Sequence, residues 1–146
     1  MPEKIGELKS LVADKLFETW YNNYAGEVCS NFLIELRDNK RILGIKCPDC
    51  NQVIVPARPV CVRCFKKTEN WIEVSNIGEL LTYTYSYTSN QTIIFGIILL
   101  DGADTGLLHL LGEIDPKNVK IGMRFQAVFN DVRIGDINDI KHFKPV

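Results

Sequence analysis

The chain has little with which to perform chemistry of its own. Its 146 residues include only two histidines, His109 and His142. His109 lies in an apolar stretch, 107–111, with no nucleophile nearby that would form a recognisable set with it. Asp101 and Asp104 sit among glycines and read as turn formers. No glycine-rich loop of the kind that cradles phosphate is present. These shortages argue against an enzyme working through its own residues. No run of about 18 apolar residues occurs, so a helical membrane span is not expected. The N-terminus, MPEKIGELKSLVADKLFETW, is charged throughout and lacks the apolar centre of a signal peptide. A cytoplasmic protein is expected. An excess of one charge is missing too: 17 basic and 18 acidic residues give a net charge of −1. Internal repeats, low-complexity tracts and long linkers are absent. What remains is an ordinary globular composition, and the length suffices for one domain or one domain with a small appendage.

Cysteine is scarce except in one place. Four of the five cysteines fall in CPDCNQVIVPARPVCVRC, residues 47–64. Each Cys-x-x-Cys turn aims two sulfurs at one point, and two such turns supply four thiolates. That set suits a tetrahedral zinc held by Cys47, Cys50, Cys61 and Cys64, one ion per chain. Iron bound by four sulfurs has the same signature. Two redox pairs, or cysteines buried as small hydrophobes, are the plainer alternatives. With four protein ligands the metal has no open position, so its role is structural. The residue after each pair usually turns through positive φ. Asn51 tolerates that, whereas Phe65 does so poorly, and a different backbone is expected in the second loop. Cys29 stands apart and reads as a small buried hydrophobe.

Before the cysteines the pattern is helical. Ile5, Leu8, Val12, Leu16, Trp20 and Tyr24 recur every three or four residues, widened by Leu11, Phe17 and Tyr21. This predicts a helix over 3–24 that Gly26 ends, with Ser30 capping a short second helix through Phe32, Leu33 and Leu36. So broad a stripe needs a cover, either this chain's core or another subunit. Between the cysteine pairs, Val53, Ile54 and Val55 are strand formers, and Pro56 and Pro59 bracket a bend. After them the period changes to two. Residues 81–88 alternate aromatic and hydroxyl side chains, 92–100 form a dense apolar run, 101–106 a turn, and 106–113 the return strand. Further strands are expected over 124–132 and 140–143. The reading is a mainly β protein with N-terminal helices: a zinc ribbon followed by a small five-stranded barrel, for which the OB-fold is the leading candidate. The expected division is a helical segment 1–38, a ribbon 39–72 and an OB-fold domain 73–146.

The order of motifs is more specific than any one of them. The chain runs from Cys47–Cys64 through W-x-E-V-S-x-x-G at 71–78, L-x-D-G-A at 99–103 and D-P-x-x-V-x-I-G-M at 115–123, to a closing FKP at 143–145. This series resembles, over nearly the full length, the zinc-ribbon/OB-fold proteins catalogued as a domain of unknown function and associated with acyl-CoA metabolism. The resemblance implies a non-catalytic partner of thiolase-like enzymes, in some archaeal complexes linking a thiolase to a hydroxymethylglutaryl-CoA synthase. It further implies that the ribbon is rubredoxin-like and followed by an OB-fold barrel, that the protein helps hold acyl-CoA between active sites, and that the leading helices serve assembly in a hetero-oligomer. Asn51 and Phe65 depart from the glycines usual at the two knuckles.

The residue chemistry bears on this. Between Arg37 and Lys67 there are eight basic side chains and two acidic ones. A zinc tetrathiolate takes back two charges, leaving about +4 on the ribbon. Such a patch would suit the phosphates of CoA, although it equally serves as a solubilising surface. Arg58, fixed between two prolines, is the leading candidate for a two-pronged phosphate contact, with Lys46 and Arg41 as weaker partners. Nucleic acid is the competing ligand, since ribbons and OB-folds both occur there and Tyr83, Tyr85 and Tyr87 could stack bases. The slightly negative net charge and the absence of a basic barrel segment count against it.

Overall fold

The computed structural model describes residues 24–87 and 91–146. The helix expected over 3–24 lies outside these, apart from its last residue, and so do 88–90.

The first described element is a helix, α1, Gly26–Asn39. It starts four residues before the Ser30 cap expected from sequence, which places Ser30 inside it. Ala25 is the N-cap and offers no side-chain bond. Gly26 instead turns the chain at φ +77, and Glu27 complements the positive end of the helix. At the other end Lys40 takes the left-handed conformation and donates its N–H to the Glu35 carbonyl. Phe32 and Leu36, one turn apart, are fully buried, and α1 packs on the first strand.

That strand, β1 (Ile42–Lys46), is the centre of a small antiparallel sheet. β2 (Val53–Ile54) lies on one side of it and β3 (Asn70–Val74) on the other. β4 (Ile77–Tyr87), β5 (Thr92–Leu100), β6 (Leu107–Leu111), β7 (Arg124–Phe129) and β8 (Ile140–Pro145) then form a closed barrel in the order β4-β5-β6-β8-β7. This is the five-stranded OB-fold arrangement. Two short 3₁₀ turns, Pro116–Asn118 and Ile137–Asp139, interrupt it. β5 has the bounds its apolar run predicts. β4 begins four residues earlier than its alternation shows, because a bulge at Leu81 changes the parity within it. Leu80 stands opposite Ile98, whereas beyond the bulge Tyr83 stands opposite Gly96 and Tyr85 opposite Ile94. Leu80 and the tyrosines therefore share one row, the row that faces the barrel interior. Gly96 is required there: a Cβ would come within 2.6 Å of a Leu80 methyl and 3.0 Å of a Leu111 methyl.

Two sets of contacts tie the barrel to what precedes it. At the β5–β6 turn, the Asp104 carboxylate accepts the Val53 N–H at 2.7 Å and the Asp104 N–H donates to the Val53 carbonyl at 2.8 Å. The Thr105 hydroxyl accepts the Val55 N–H at 2.8 Å and donates to the Val55 carbonyl at 2.9 Å. The turn thus covers the outer edge of β2. In the β7–β8 loop, Arg133 donates from Nε to the Arg37 carbonyl at the end of α1 (2.6 Å). The buried Asp139 carboxylate holds this loop by accepting the N–H groups of Ile134 (2.9 Å) and Gly135 (2.8 Å).

His109 is a buried, structural histidine. Its ring lies edge-on to Phe143, centroids 5.7 Å apart, and its Nε2–H donates to the Ile137 carbonyl at 3.3 Å. Burial pushes its pKa below the ordinary value. The unfolded chain therefore takes up this proton first. Stability from this group is complete above about pH 6.5 and declines as the pH falls below it. Thermal unfolding followed from pH 7 to pH 5 should show the decline, and His109→Gln should flatten that part of the profile.

Candidate metal centre and the surface around it

The four sulfurs of Cys47, Cys50, Cys61 and Cys64 all lie within 4.8 Å of one another, and those of Cys47 and Cys64 are 3.5 Å apart. A tetrahedral ion with metal–sulfur bonds of about 2.3 Å sets its ligands about 3.8 Å apart, so this quartet fits one. Cys47 and Cys61 are fully buried, Cys50 and Cys64 half-buried. The two loops have the same construction. In the first, the Cys47 N–H donates to the Gln52 carbonyl (2.9 Å) and the Asn51 N–H to the Cys47 carbonyl (3.0 Å). In the second, Cys61 N–H donates to Lys66 (2.8 Å) and Phe65 N–H to Cys61 (3.1 Å). Asn51 and Phe65 both sit at positive φ, 57° and 61°. The different backbone expected at Phe65 is thus not found: the demands of two sulfurs converging on one point override the residue's own preference.

The thiols are electrically unequal. Backbone N–H groups of Cys64 and Arg63 bring the Cys61 thiol down to about 7. The Cys50 thiol, beside Cys64 and partly desolvated, is pushed up to about 12. Four thiolates this close repel one another, and a bound cation removes the conflict. Cys29, expected to be buried, is a half-buried residue of α1 and is not part of the quartet.

The basic residues of the ribbon divide into two groups. Arg37 pairs with Asp38 (2.7 Å), Arg41 with Glu73 (2.6 Å), Lys66 with Asp49, and Lys67 with Glu69 (3.3 Å). Lys40, Lys46, Arg58 and Arg63 make no ion pair among the described residues. Arg41 precedes β1 and Lys46 ends it, about 17 Å along an extended strand, so Lys46 is at the metal end and Arg41 is not. Arg58 is exposed, and its backbone is held firmly. The buried Thr68 donates its hydroxyl to the Arg58 carbonyl and its N–H to the Pro59 carbonyl. Sequence reasoning did not find the reach of Thr68, nor that of Asp104, Thr105 and Arg133, because each acts on a backbone group far away in sequence.

The tyrosines expected as a possible platform have other partners. Tyr83 and Tyr85 pack against the core, their rings 5.5 Å apart, and Tyr85 donates its hydroxyl to the Pro116 carbonyl at 2.8 Å. Tyr87 is exposed. The outer β5–β6 face carries a groove of about 520 Å³ lined by Ile93, Phe95, Leu108, Leu110 and Ile137 among others, with no Lys or Arg. His142 pairs with Glu113 at 2.9 Å. No described helix is long and apolar enough to cross a membrane.

Comparison with known proteins agrees with this architecture. Residues 35–69 match the family model of the ChsH2 rubredoxin-like zinc ribbon domain, and 71–130 that of the ChsH2 C-terminal OB-fold domain. A DUF35 domain-containing scaffold protein of Methanocaldococcus jannaschii is 29% identical over 126 residues, 76% of this chain and 86% of that protein. The crystal structure of a DUF35-family protein of unknown function from Sulfolobus solfataricus superposes with a TM-score of 0.61 at 25% identity, covering 82% of this chain and 84% of that one. A chain of the Ltp2-ChsH2(DUF35) aldolase shares the fold, with a TM-score of 0.60 at 19% identity over 84% and 98%. With a cysteine quartet on a three-stranded ribbon, a closed five-stranded barrel behind it, and both matched in order, the chain belongs to the DUF35 family of zinc-ribbon/OB-fold proteins.

Proposed function

We propose that this protein is a non-catalytic cytoplasmic scaffold subunit, carrying one structural zinc, that holds acyl-CoA beside a thiolase- or hydroxymethylglutaryl-CoA synthase-type partner. The observation that carries the acyl-CoA part is the state of Arg58. It is an exposed guanidinium without a carboxylate partner among the described residues, on a backbone fixed by Thr68. Lys46 adds an unpaired charge at the same end of the ribbon, while Arg41, engaged with Glu73, contributes only a screened field. A guanidinium presented from a held backbone can meet a phosphate through two donors. The relatives support the scaffold part. One is named a scaffold protein, and another is a chain of an aldolase assembly.

Nucleic acid finds less support. OB-folds that bind it use the face of the second and third strands, here β5 and β6. The groove on that face is mainly apolar and has no Lys or Arg in its lining, and affinity for nucleic acid rests on phosphate neutralisation.

The test is calorimetric titration with acetyl-CoA, on the protein alone and on the complex recovered by native co-purification. Arg58→Ala should weaken binding five- to a hundred-fold, about 1–3 kcal/mol, with metal content and melting temperature unchanged. Arg58→Lys should recover only part. Binding that survives combined loss of Arg58, Lys46 and Arg41, or is absent from both preparations, would show the site to be elsewhere.

A further inference from the structure

Phe65 is out of place by two independent measures. It is 78% exposed, and it stands at φ +61. Left-handed backbone is strained for a bulky side chain, and water is a poor environment for this one. Asn51, in the equivalent place of the first knuckle, has neither problem. Closure of the cysteine loop holds the Phe65 backbone, its N–H bonded to the Cys61 carbonyl at 3.1 Å, but nothing among the described residues covers its ring. Its neighbours repeat the pattern: Val60 and Val62 are 44% and 45% exposed. Together with Arg58, Pro59 and Cys61 they line an open groove of about 330 Å³, room for one large side chain. The edge of this patch is cationic. Arg63 has no ion-pair partner among the described residues and takes no part in the CoA contact proposed above.

We infer that the second knuckle is a docking surface for an acidic segment of the partner enzyme, which inserts one large apolar side chain between Phe65 and Val60–Val62 and sets a carboxylate against Arg63. The strain at Phe65 is what the metal loop tolerates in order to present an aromatic ring at its tip. Charge complementarity fixes the sign of the partner. Arg63, unpaired at the edge of the patch and outside the proposed CoA contact, would repel a basic surface. The assignment rests on the scaffold reading and names the face through which the scaffold would work.

The experiment compares full-length wild type, Phe65→Gly and Arg63→Glu in native co-purification, with metal content, melting temperature and acetyl-CoA binding measured on each. Glycine relieves the backbone, so Phe65→Gly should melt at the wild-type temperature or about 2–4 °C above it and keep one metal per chain. It should recover at least tenfold less of the thiolase-type partner, and Arg63→Glu should lose partner to a similar extent. A photoreactive benzoyl-phenylalanine in place of Phe65 should cross-link to an Asp/Glu-rich segment of that partner. Partner recovery by Phe65→Gly within twofold of wild type overturns the inference while leaving the scaffold reading intact, and so does a cross-link to a basic segment. A lowered melting temperature shows Phe65 to be a packing residue, and loss of acetyl-CoA affinity shows it to be a nucleotide platform; either result also overturns the inference. If wild type itself recovers no acyl-CoA enzyme, the scaffold reading has failed first, and this one with it.

Discussion

A Cys61→Ser protein should emerge from purification with far less than one metal ion per chain, and its ribbon should exchange amide hydrogens freely while its barrel does not. The expected effect is the largest in the molecule. Structural zinc sites contribute about 10–16 kcal/mol to the folding of small metal domains, and Cys61 is a fully buried member of the quartet whose sulfur receives the Arg63 N–H. A serine hydroxyl at that point is a weak ligand that does not ionise near neutral pH. β1 and β2 then lose the knuckle that closes one end of their sheet. The barrel has its own core in Leu80, Ile98, Phe125 and Phe143, so its far-ultraviolet signal should largely persist. Elemental analysis of protein prepared without added metal, with hydrogen exchange alongside, checks both halves. Zinc is the metal expected in the wild type, and unchanged metal content in the variant would remove Cys61 from the ligand set.

Phe143→Ala should do the reverse, melting the barrel while the ribbon keeps its metal. Phe143 is fully buried in β8, edge-on to His109, and it stands opposite Leu111 in the parallel pairing that joins β6 to β8. Its carbonyl accepts the Gly112 N–H at 2.8 Å. Truncating a phenylalanine so placed costs about 3–5 kcal/mol. That is a third or more of the stability of many domains. For a chain of this size it corresponds to a fall in melting temperature of about 6–20 °C. Calorimetry of the two proteins measures it directly. A loss under about 1 kcal/mol would mean that the closure is held mainly by the backbone.

These two variants also separate what was legible in the sequence from what was not. The quartet could be read because Cys-x-x-Cys is a local device: its spacing alone aims the sulfurs. β5 could be read because a run of nine residues, apolar but for Thr92 and Gly96 and bounded by turn signals, needs no partner to identify it. The beginning of β4 could not. Ile77, Gly78, Glu79 and Leu80 show one alternation and Tyr83 to Tyr87 another, and the bulge that reconciles them exists only once β5 is alongside. The helix start was misplaced for a related reason. A serine is a good cap in isolation, but Gly26 turned the chain first. The backbone of the second knuckle was misjudged because residue preference is a weaker force than the closing of a metal loop. Asp104 is legible as a turn former, but the long reach of Thr68, Asp104, Thr105 and Arg133 gives no signal. Each satisfies a main-chain group 10 to 96 residues away, and hydrogen bonds of that kind have no period.

The turn that carries Asp104 and Thr105 has one further consequence. β2 is a two-residue strand at the margin of its sheet, and a bare margin invites another chain to add itself by main-chain pairing. Here the amide and carbonyl groups of Val53 and Val55 are already spoken for by the barrel. The barrel therefore guards this margin from within the same polypeptide: the β2 side of the ribbon has no free main-chain groups at Val53 and Val55 through which another chain could add itself.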